Sequence, residues 1–320
     1  MSYLDLVIIG AGPAGLTAAQ YGARANLKVL VIEQLSVGGQ ALIIDMLENY
    51  PGNTAQVDET GKEITPPKSG YEFAMDLHRQ AESFGASFLF GVVASINKNK
   101  DDLFTVNMID GTIHITSAVI IATGAKPRQL GIPGESEFSG RGVSYCATCD
   151  GNFFRNKKIF VVGGGDAACD EARYLSKLTQ TVVIVLRRGE FRAQKALIKR
   201  TLENPNIEVR FNTVIKKIKG VQKVNSVVLE NTITSEKTED LAHAVFIFAG
   251  TVPQSSLVKD LAALDEGGYI ITDNKMATSV PGLFAAGDVR SGAFRQVITA
   301  AADGAAAAHY AAGYIDELKG

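Results

Sequence analysis

Six residues in the middle of the chain carry the most specific chemistry in the sequence: Cys146-Ala147-Thr148-Cys149-Asp150-Gly151. Two thiols at Cys-x-x-Cys spacing can close a small disulfide ring and reopen it by exchange. The same spacing also serves as half of a zinc site or as a purely structural pair. No second cysteine pair stands nearby, and His78, His114, His243 and His309 are scattered. No metal site is therefore expected, and Cys146 and Cys149 are candidate redox thiols. Asp150 is adjacent and placed to move the proton that exchange requires. The third cysteine, Cys169, falls early in a helical stretch and is expected to be a buried, inert thiol.

The elements that must position this dithiol follow a duplicated plan. An apolar run, Leu4 to Ile9, enters Gly10-Ala11-Gly12-Pro13-Ala14-Gly15. A helix to about Ala25 and a strand over 28–33 come next. The pattern returns as a strand over 158–162, then Gly163-Gly164-Gly165-Asp166-Ala167-Ala168, a helix to about Leu178 and a strand over 181–186. A lone G-x-G-x-x-G is weak, but a strand before it and a helix after it form the dinucleotide-binding context. The first Gly allows a tight turn, the second lets backbone approach a pyrophosphate, and the third lets helix and strand pack, a place Ala168 can fill. Pro13 suits a first helical turn, where its missing N–H costs nothing. Each copy continues as a meander and a strand ending in Gly: 117–122 into Thr123-Gly124, and 244–248 into Ala249-Gly250. The tail after 253 has no βαβ unit of its own. The simplest arrangement returns it to the first domain. The expected fold is α/β, two Rossmann-like three-layer nucleotide-binding domains with the second inserted into the first. The first domain covers 1–125 and 251–320, and the second, carrying the dithiol, covers 126–250.

The copies differ at the end of their second strand. Glu33 can accept hydrogen bonds from both hydroxyls of a ribose and would repel a 2′-phosphate. The other copy has Arg187 and Arg188, with Arg192 close behind, and guanidinium groups pair with phosphate. The first site suits FAD and the second NADPH. Asp288, in Ala-Gly-Asp-Val after an apolar strand, could hold ribityl hydroxyls; it could equally cap a turn. Arg295-Gln296-Val297 is expected to begin the last helix, whose N-terminal dipole would favour a reduced, anionic flavin. Residues 53–69, with Pro66-Pro67 and little apolar content, read as an exposed loop. A helix is expected over 71–84.

Composition sets the remaining bounds. The chain has 320 residues, 46% hydrophobic and 21% charged, with a net charge of −2. That length favours two domains. The charge gives no reason to expect nucleic acid or an anionic membrane as partner. The N-terminus has no basic-then-apolar pattern of a signal peptide, and apolar runs break well before the ~18 residues of a membrane span. An odd, low cysteine count points to a reducing cytoplasm.

In this order the motifs resemble low-molecular-weight, bacterial-type thioredoxin reductase of the pyridine nucleotide-disulphide oxidoreductase superfamily. The resemblance rests on the two glycine motifs, Gly38-Gly39-Gln40, Glu48-Asn49-Tyr50-Pro51-Gly52, the Cys146–Gly151 segment, Arg187-Arg188, and Gly287-Asp288-Val289 with Arg295-Gln296. It covers nearly the whole chain. It implies a cytoplasmic homodimer with FAD and NADPH as cofactors and thioredoxin as partner. Cys149 would lie nearer the flavin, Cys146 would attack thioredoxin, and Asp150 would be the acid–base group. The flavin site would comprise Gly10, Gly12, Pro13, Ala14, Gly15, Glu33, Gln34, Gly39, Gln40, Asn49, Val93, Ala122, Thr123, Gly124, Gly287, Asp288, Arg295, Gln296 and Val297. The NADPH site would comprise Gly163, Gly165, Asp166, Ala167, Ala168, Arg187, Arg188 and Arg192. Arg141, Phe153 and Phe154 would help dock thioredoxin, and links near 124–127 and 249–253 would be hinges for domain rotation.

The chain departs from that pattern in three places. Leu186 stands where the family usually has His, Ala167 replaces a frequent Ser or Thr, and 53–69 is longer than usual. The first two bear on NADPH over NADH. Competing readings are a related flavin disulfide reductase with another partner or donor (NADH or ferredoxin), and a nucleotide-holding protein without turnover. Reductases of peroxiredoxin systems carry an extra N-terminal thioredoxin-like region, whereas this sequence opens at its FAD strand.

Overall fold

The computed structural model describes residues 3–44, 46–47, 49–61 and 63–319, without the side chains of Ile43, Val57, Glu63, Thr148 and Cys149. Glu48 of the motif above thus lies outside the described residues, as does the Cys149 side chain. Two compact units form, one of Met1–Lys126 with Val252–Gly320 and one of Pro127–Thr251.

The first unit opens with β1 (Tyr3–Ile9), α1 (Pro13–Arg24) and β2 (Val29–Glu33). A short antiparallel pair, β3 (Gln56–Val57) and β4 (Glu63–Thr65), precedes α2 (Gly70–Ser83). Then come β5 (Ser87–Phe90), β6 (Val93–Lys98), β7 (Phe104–Met108), β8 (Ile113–Ile121) and β9 (Ala125–Pro127). The second unit has β10 (Val143–Ser144), α3 (Ala147–Asp150), β11 (Ile159–Val162), α4 (Asp166–Leu175), β12 (Val182–Val185), α5 (Lys195–Leu202), β13 (Ile207–Arg210), β14 (Thr213–Gly220), β15 (Val224–Asn231), β16 (Lys237–Leu241), β17 (Ala244–Ile247) and β18 (Thr251–Pro253). The chain then returns to the first unit with β19 (Leu283–Ala285) and α6 (Val297–Lys319). The two connections between units, β9 and β18, pair with each other as a two-stranded ribbon.

The duplication is visible in strand order. The first sheet runs β5-β2-β1-β8-β7-β6 with β19 on β8, and the second β10-β17-β11-β12-β13. The runs β5-β2-β1-β8 and β13-β12-β11-β17 therefore correspond, each with the strand before the glycine motif at its centre, the doubly wound order in which ligands bind beyond the carboxyl ends of the strands. Strand β8 is longer than its sequence pattern indicates. Its first half pairs antiparallel with β7, its second half parallel with β19, and Ile115–Ile121 parallel with β1. A single strand thus serves both meander and parallel sheet, so the expected break near Ser117 is absent.

Both faces of the first sheet are covered, which is why Leu6–Ile9 of β1 and Val29–Ile32 of β2 read as unbroken apolar runs. Leu6, Ile8 and Val31 face a core shared with α1 and α6, while Val7, Ile9 and Ile32 face a second core with Phe104 and Val289. The second unit has the same two-sided burial, with Phe160 and Val183 on one face and Val161 and Ile184 on the other.

Two expectations are corrected here. The 53–69 segment is not a plain loop: besides the β3–β4 pair, the buried Asn53 side chain ties its ends, donating to Leu47 C=O (2.7 Å) and Lys68 C=O (3.0 Å) and accepting from Lys68 N–H (3.0 Å). Helix α2 starts at Gly70 because Ser69 and Glu72 form a reciprocal capping box, a signal present in the Ser-x-x-Glu spacing.

Helix α6 crosses α1 at Gly304, where an added Cβ would fall onto the Ala14 carbonyl. Gly304→Ala removes a helix-weakening glycine, which alone would stabilise by about 1 kcal/mol. Overpacking against fixed backbone outweighs this, and we expect net destabilisation of about 1–2 kcal/mol, read as a lower urea midpoint at unchanged slope.

Candidate active site

The first glycine motif is built by backbone contact. Gly10 adopts φ +103°, and a Cβ there would meet the Ala122 carbonyl; one at Gly15 would fall onto the Gly10 carbonyl oxygen. Hydrogen bonds from Gly10 N–H to Ile32 C=O (2.8 Å) and from Ala122 N–H to Ile9 C=O (2.8 Å) lock the three strand ends. Gly12 faces no side chain: a Cβ there would have only the Gly39 Cα at 4.0 Å. Pro13 begins α1, with buried Ala14 behind it. The N-terminus of α1 therefore opens onto glycine backbone from two loops, a cradle that fits a pyrophosphate.

Glu33 ends β2. Its Oε2 accepts from Ala11 N–H (2.8 Å) and its Oε1 from Leu35 N–H (2.9 Å). One lone pair on each oxygen remains for a ribose hydroxyl. Gln34 is exposed beside it. Thr123 Oγ1 donates to Gln254 C=O (2.7 Å), Gln254 Nε2 donates to Thr123 C=O (2.8 Å), and Gly124 sits at φ +69°. Gln40 donates to Ala125 C=O, and Val93 is buried at the start of β6.

A 3-10 turn over Gly287–Val289 follows β19 and presents Asp288. Burial pushes the Asp288 carboxyl above its ordinary value against the pull of Arg295, with Asp303 adding repulsion. Asp303, on α6, fixes this turn: its Oδ2 accepts from Gly287 N–H (3.1 Å) and Arg290 Nε (2.9 Å). Sequence reasoning missed Asp303, because its partners stand 13 and 16 residues away. Arg295 does not begin the helix as expected. It sits at φ +59° with its guanidinium 4.7 Å from the Tyr269 ring centroid. Gln296 accepts the first helical bond, from Ala300 N–H (2.9 Å), and also receives Asn49 Nδ2 (2.9 Å); the helix itself starts at Val297.

The second motif repeats the first. A Cβ at Gly163 would meet the Phe248 carbonyl, as one at Gly10 would meet Ala122, and Gly165 has open space around it. Ala168 is buried where the third glycine stood. Asp166 and Ala167 are exposed, and Asp166 accepts from Gln194 N–H (2.7 Å). Arg192 N–H donates to Gly164 C=O (2.7 Å), which brings the Arg192 segment over the motif. Arg187, Arg188 and Arg192 are exposed. Leu186 turns inward, 5% exposed, beneath Gly164. That position thus adds apolar packing, and the charge comes from the arginines.

Cys146 is disulfide-bonded, and Cys169 is free. The buried Ser144 hydroxyl accepts from Cys146 N–H (3.0 Å) and donates to Cys146 C=O (3.1 Å). Asp150 N–H donates to the same carbonyl (3.3 Å), closing the turn of α3. A Cβ at Gly151 would lie 2.8 Å from Leu175, so the dithiol turn rests on α4. Cys169 is fully buried, and burial pushes its thiol up, which suppresses thiolate and exchange. Among the docking candidates, Phe153 is 79% exposed, but Phe154 packs edge-on against Phe246 at 6.1 Å. Arg141 is held within its own unit, over the Phe138 ring and against Gln222 C=O (3.4 Å). No group of His, Cys, Asp and Glu able to hold a metal occurs among the described residues, nor does a helix long and apolar enough to cross a membrane.

Two dinucleotide-type folds with a disulfide in the second define an oxidoreductase. The model of the family "pyridine nucleotide-disulphide oxidoreductase" matches residues 4–304. A thioredoxin reductase of Treponema pallidum is 53% identical over 98% of each chain, and one of Peptoclostridium acidaminophilum is 44% identical over 98% of this chain and 97% of that protein. The crystal structure of Lactococcus lactis thioredoxin reductase (FR conformation) has 43% identity and a TM-score of 0.84, covering 98% of this chain and 99% of that one. The chain belongs to the pyridine nucleotide-disulphide oxidoreductase family, as a flavoprotein of its low-molecular-weight thioredoxin reductase group.

Helix α4 carries a testable charge. Burial, with Asp170 adding repulsion, raises the Glu171 carboxyl to about 7. A carboxyl raised on folding stabilises most below its unfolded pKa, and this contribution is lost as pH rises through the folded one. Stability should therefore decline between about pH 4.5 and pH 7. Glu171→Gln should remove its share of the decline, seen as a smaller fall in melting temperature across that window than in the parent.

Proposed function

We propose that the chain reduces thioredoxin with electrons from NADPH, passed through FAD to a Cys146/Cys149 dithiol. The observation that carries the reading is a disulfide-bonded Cys146 on the same unit as an arginine-ended nucleotide fold, on a chain whose other nucleotide fold ends in Glu33.

In this reading the unit of Met1–Lys126 and Val252–Gly320 holds FAD. Gly12, Gly39 and the α1 N-terminus bind its pyrophosphate, Glu33 its ribose and Asp288 its ribityl hydroxyls. Bound FAD supplies a two-electron relay between nucleotide and dithiol. The α6 N-terminus, with Arg295, Gln296 and Val297, would supply N–H donors and a positive dipole that favour the negative charge of reduced flavin. The unit of Pro127–Thr251 holds NADPH. Gly163, Gly165 and the α4 N-terminus take its pyrophosphate, while Arg187, Arg188 and Arg192 take the 2′-phosphate.

Reduction of the Cys146 disulfide yields two thiols. The Cys146 thiolate attacks one sulfur of oxidised thioredoxin, forming a mixed disulfide and releasing one partner thiolate. Cys149 then attacks Cys146 Sγ, re-forming the chain's disulfide and releasing the second. Asp150 holds and delivers the proton for these steps. Exposed Phe153 is the contact offered to the partner. The segments at 124–127 and 249–253 act as hinges, and the active form is a cytoplasmic homodimer.

Two measurements test this. Under anaerobic conditions NADPH should bleach the flavin faster than NADH. Arg188→Ala should weaken NADPH by roughly ten- to a hundredfold, as loss of a charge-assisted bond would, and leave NADH unchanged; equal use of both nucleotides by the parent chain would overturn the phosphate assignment. Cys146→Ser should retain flavin and lose thioredoxin reduction, and normal turnover by that variant would exclude the dithiol route.

A further inference from the structure

The residue before the reactive cysteine is held by a buried carboxylate that none of the steps above uses. Glu135 is 2% exposed. Its Oε1 accepts from Leu130 N–H (2.8 Å), and its Oε2 from Gly131 N–H (2.7 Å) and Ile132 N–H (3.4 Å). The remaining donor is the Tyr145 hydroxyl, 2.7 Å from Oε1. Residues 129–132 directly follow β9, where the chain enters the second unit. One carboxylate thus gathers the entering chain and joins it to the residue next to Cys146, whose own N–H and C=O are both taken by Ser144.

We infer that Glu135 and Tyr145 form a positioning tether that sets the place of Cys146 relative to the entry of its unit, and so tunes how readily its disulfide opens. The inference rests on the dithiol reading above. Neither residue touches the sulfur, so both act through the backbone of 144–146. The direction follows from preorganisation: a thiol held in place re-forms its ring more readily, so loosening it favours the open dithiol. Burial, and then Glu135, pushes the Tyr145 phenol up, so this hydroxyl stays a neutral donor at working pH.

The test uses the full flavin-loaded chain in glutathione buffers, where disulfide plus two glutathione thiols exchange to dithiol plus oxidised glutathione. Tyr145→Phe keeps the ring and removes the bond to Glu135. It should shift the equilibrium toward dithiol by about three- to tenfold, a share of what a hydrogen bond to a charged group is worth, with a melting temperature within about 2 °C of the parent. Glu135→Gln, which takes the charge out of the same bond, should shift it the same way. An unchanged equilibrium in Tyr145→Phe overturns the tether; if that variant does not fold, an unchanged equilibrium in Glu135→Gln does so instead. Thioredoxin is absent from this assay. A failed thioredoxin reading would appear as turnover by Cys146→Ser, and a failed tether as an unmoved glutathione equilibrium.

Discussion

Everything in the molecule depends on backbone touching backbone at the ends of two strands. At Gly10 and Gly163 the turn presses against a carbonyl of the neighbouring strand, at Ala122 and Phe248, with no room for a Cβ. This contact lets helices α1 and α4 begin close to the sheet. Each helix then begins directly behind the glycines at the end of its strand. A side chain at either position would displace the helix, and with it the anion-binding geometry. The packing of α6 on α1 at Gly304 and the Gly287 turn against Ala14 extend the same close approach to the returning tail of the first unit.

Residues with local meaning were legible in the sequence. The glycine motifs, Glu33 against Arg187 and Arg188, and the buried Cys169 follow from strand–turn–helix spacing or from composition. Features that join distant segments were not. Nothing in the alternating pattern of 113–121 distinguishes one strand serving two partners from two strands, because either arrangement alternates. The Asn53 amide closes a segment by bonding Leu47 and Lys68. Asp303 sits in an alanine-rich helix and meets Gly287 and Arg290. Glu135 is 2% exposed, and four donors converge on it. Buried carboxylates are rare without partners, and their partners here are backbone groups that no side-chain pattern reveals.

The two free energies that matter for thiol chemistry are set by opposite means. Cys169 is silenced by burial. Cys146 is half-buried, and Ser144 bonds both its N–H and its C=O, so its position is fixed by hydrogen bonds to its backbone. Leu186 shows a similar division in the nucleotide fold, giving packing to Gly164 while its neighbours give charge.

The paired links β9 and β18 bear on how the chain reaches this state. Strands β8 and β19 are neighbours in one sheet although the whole second unit lies between them in sequence. For a disordered insert on the order of 100 residues, bringing those strands together costs about 4 kcal/mol of loop entropy. A folded insert whose entry and exit strands lie side by side replaces that long loop with a short ribbon. An inner unit that is already folded therefore lowers the entropic cost of bringing β19 and α6 onto β8.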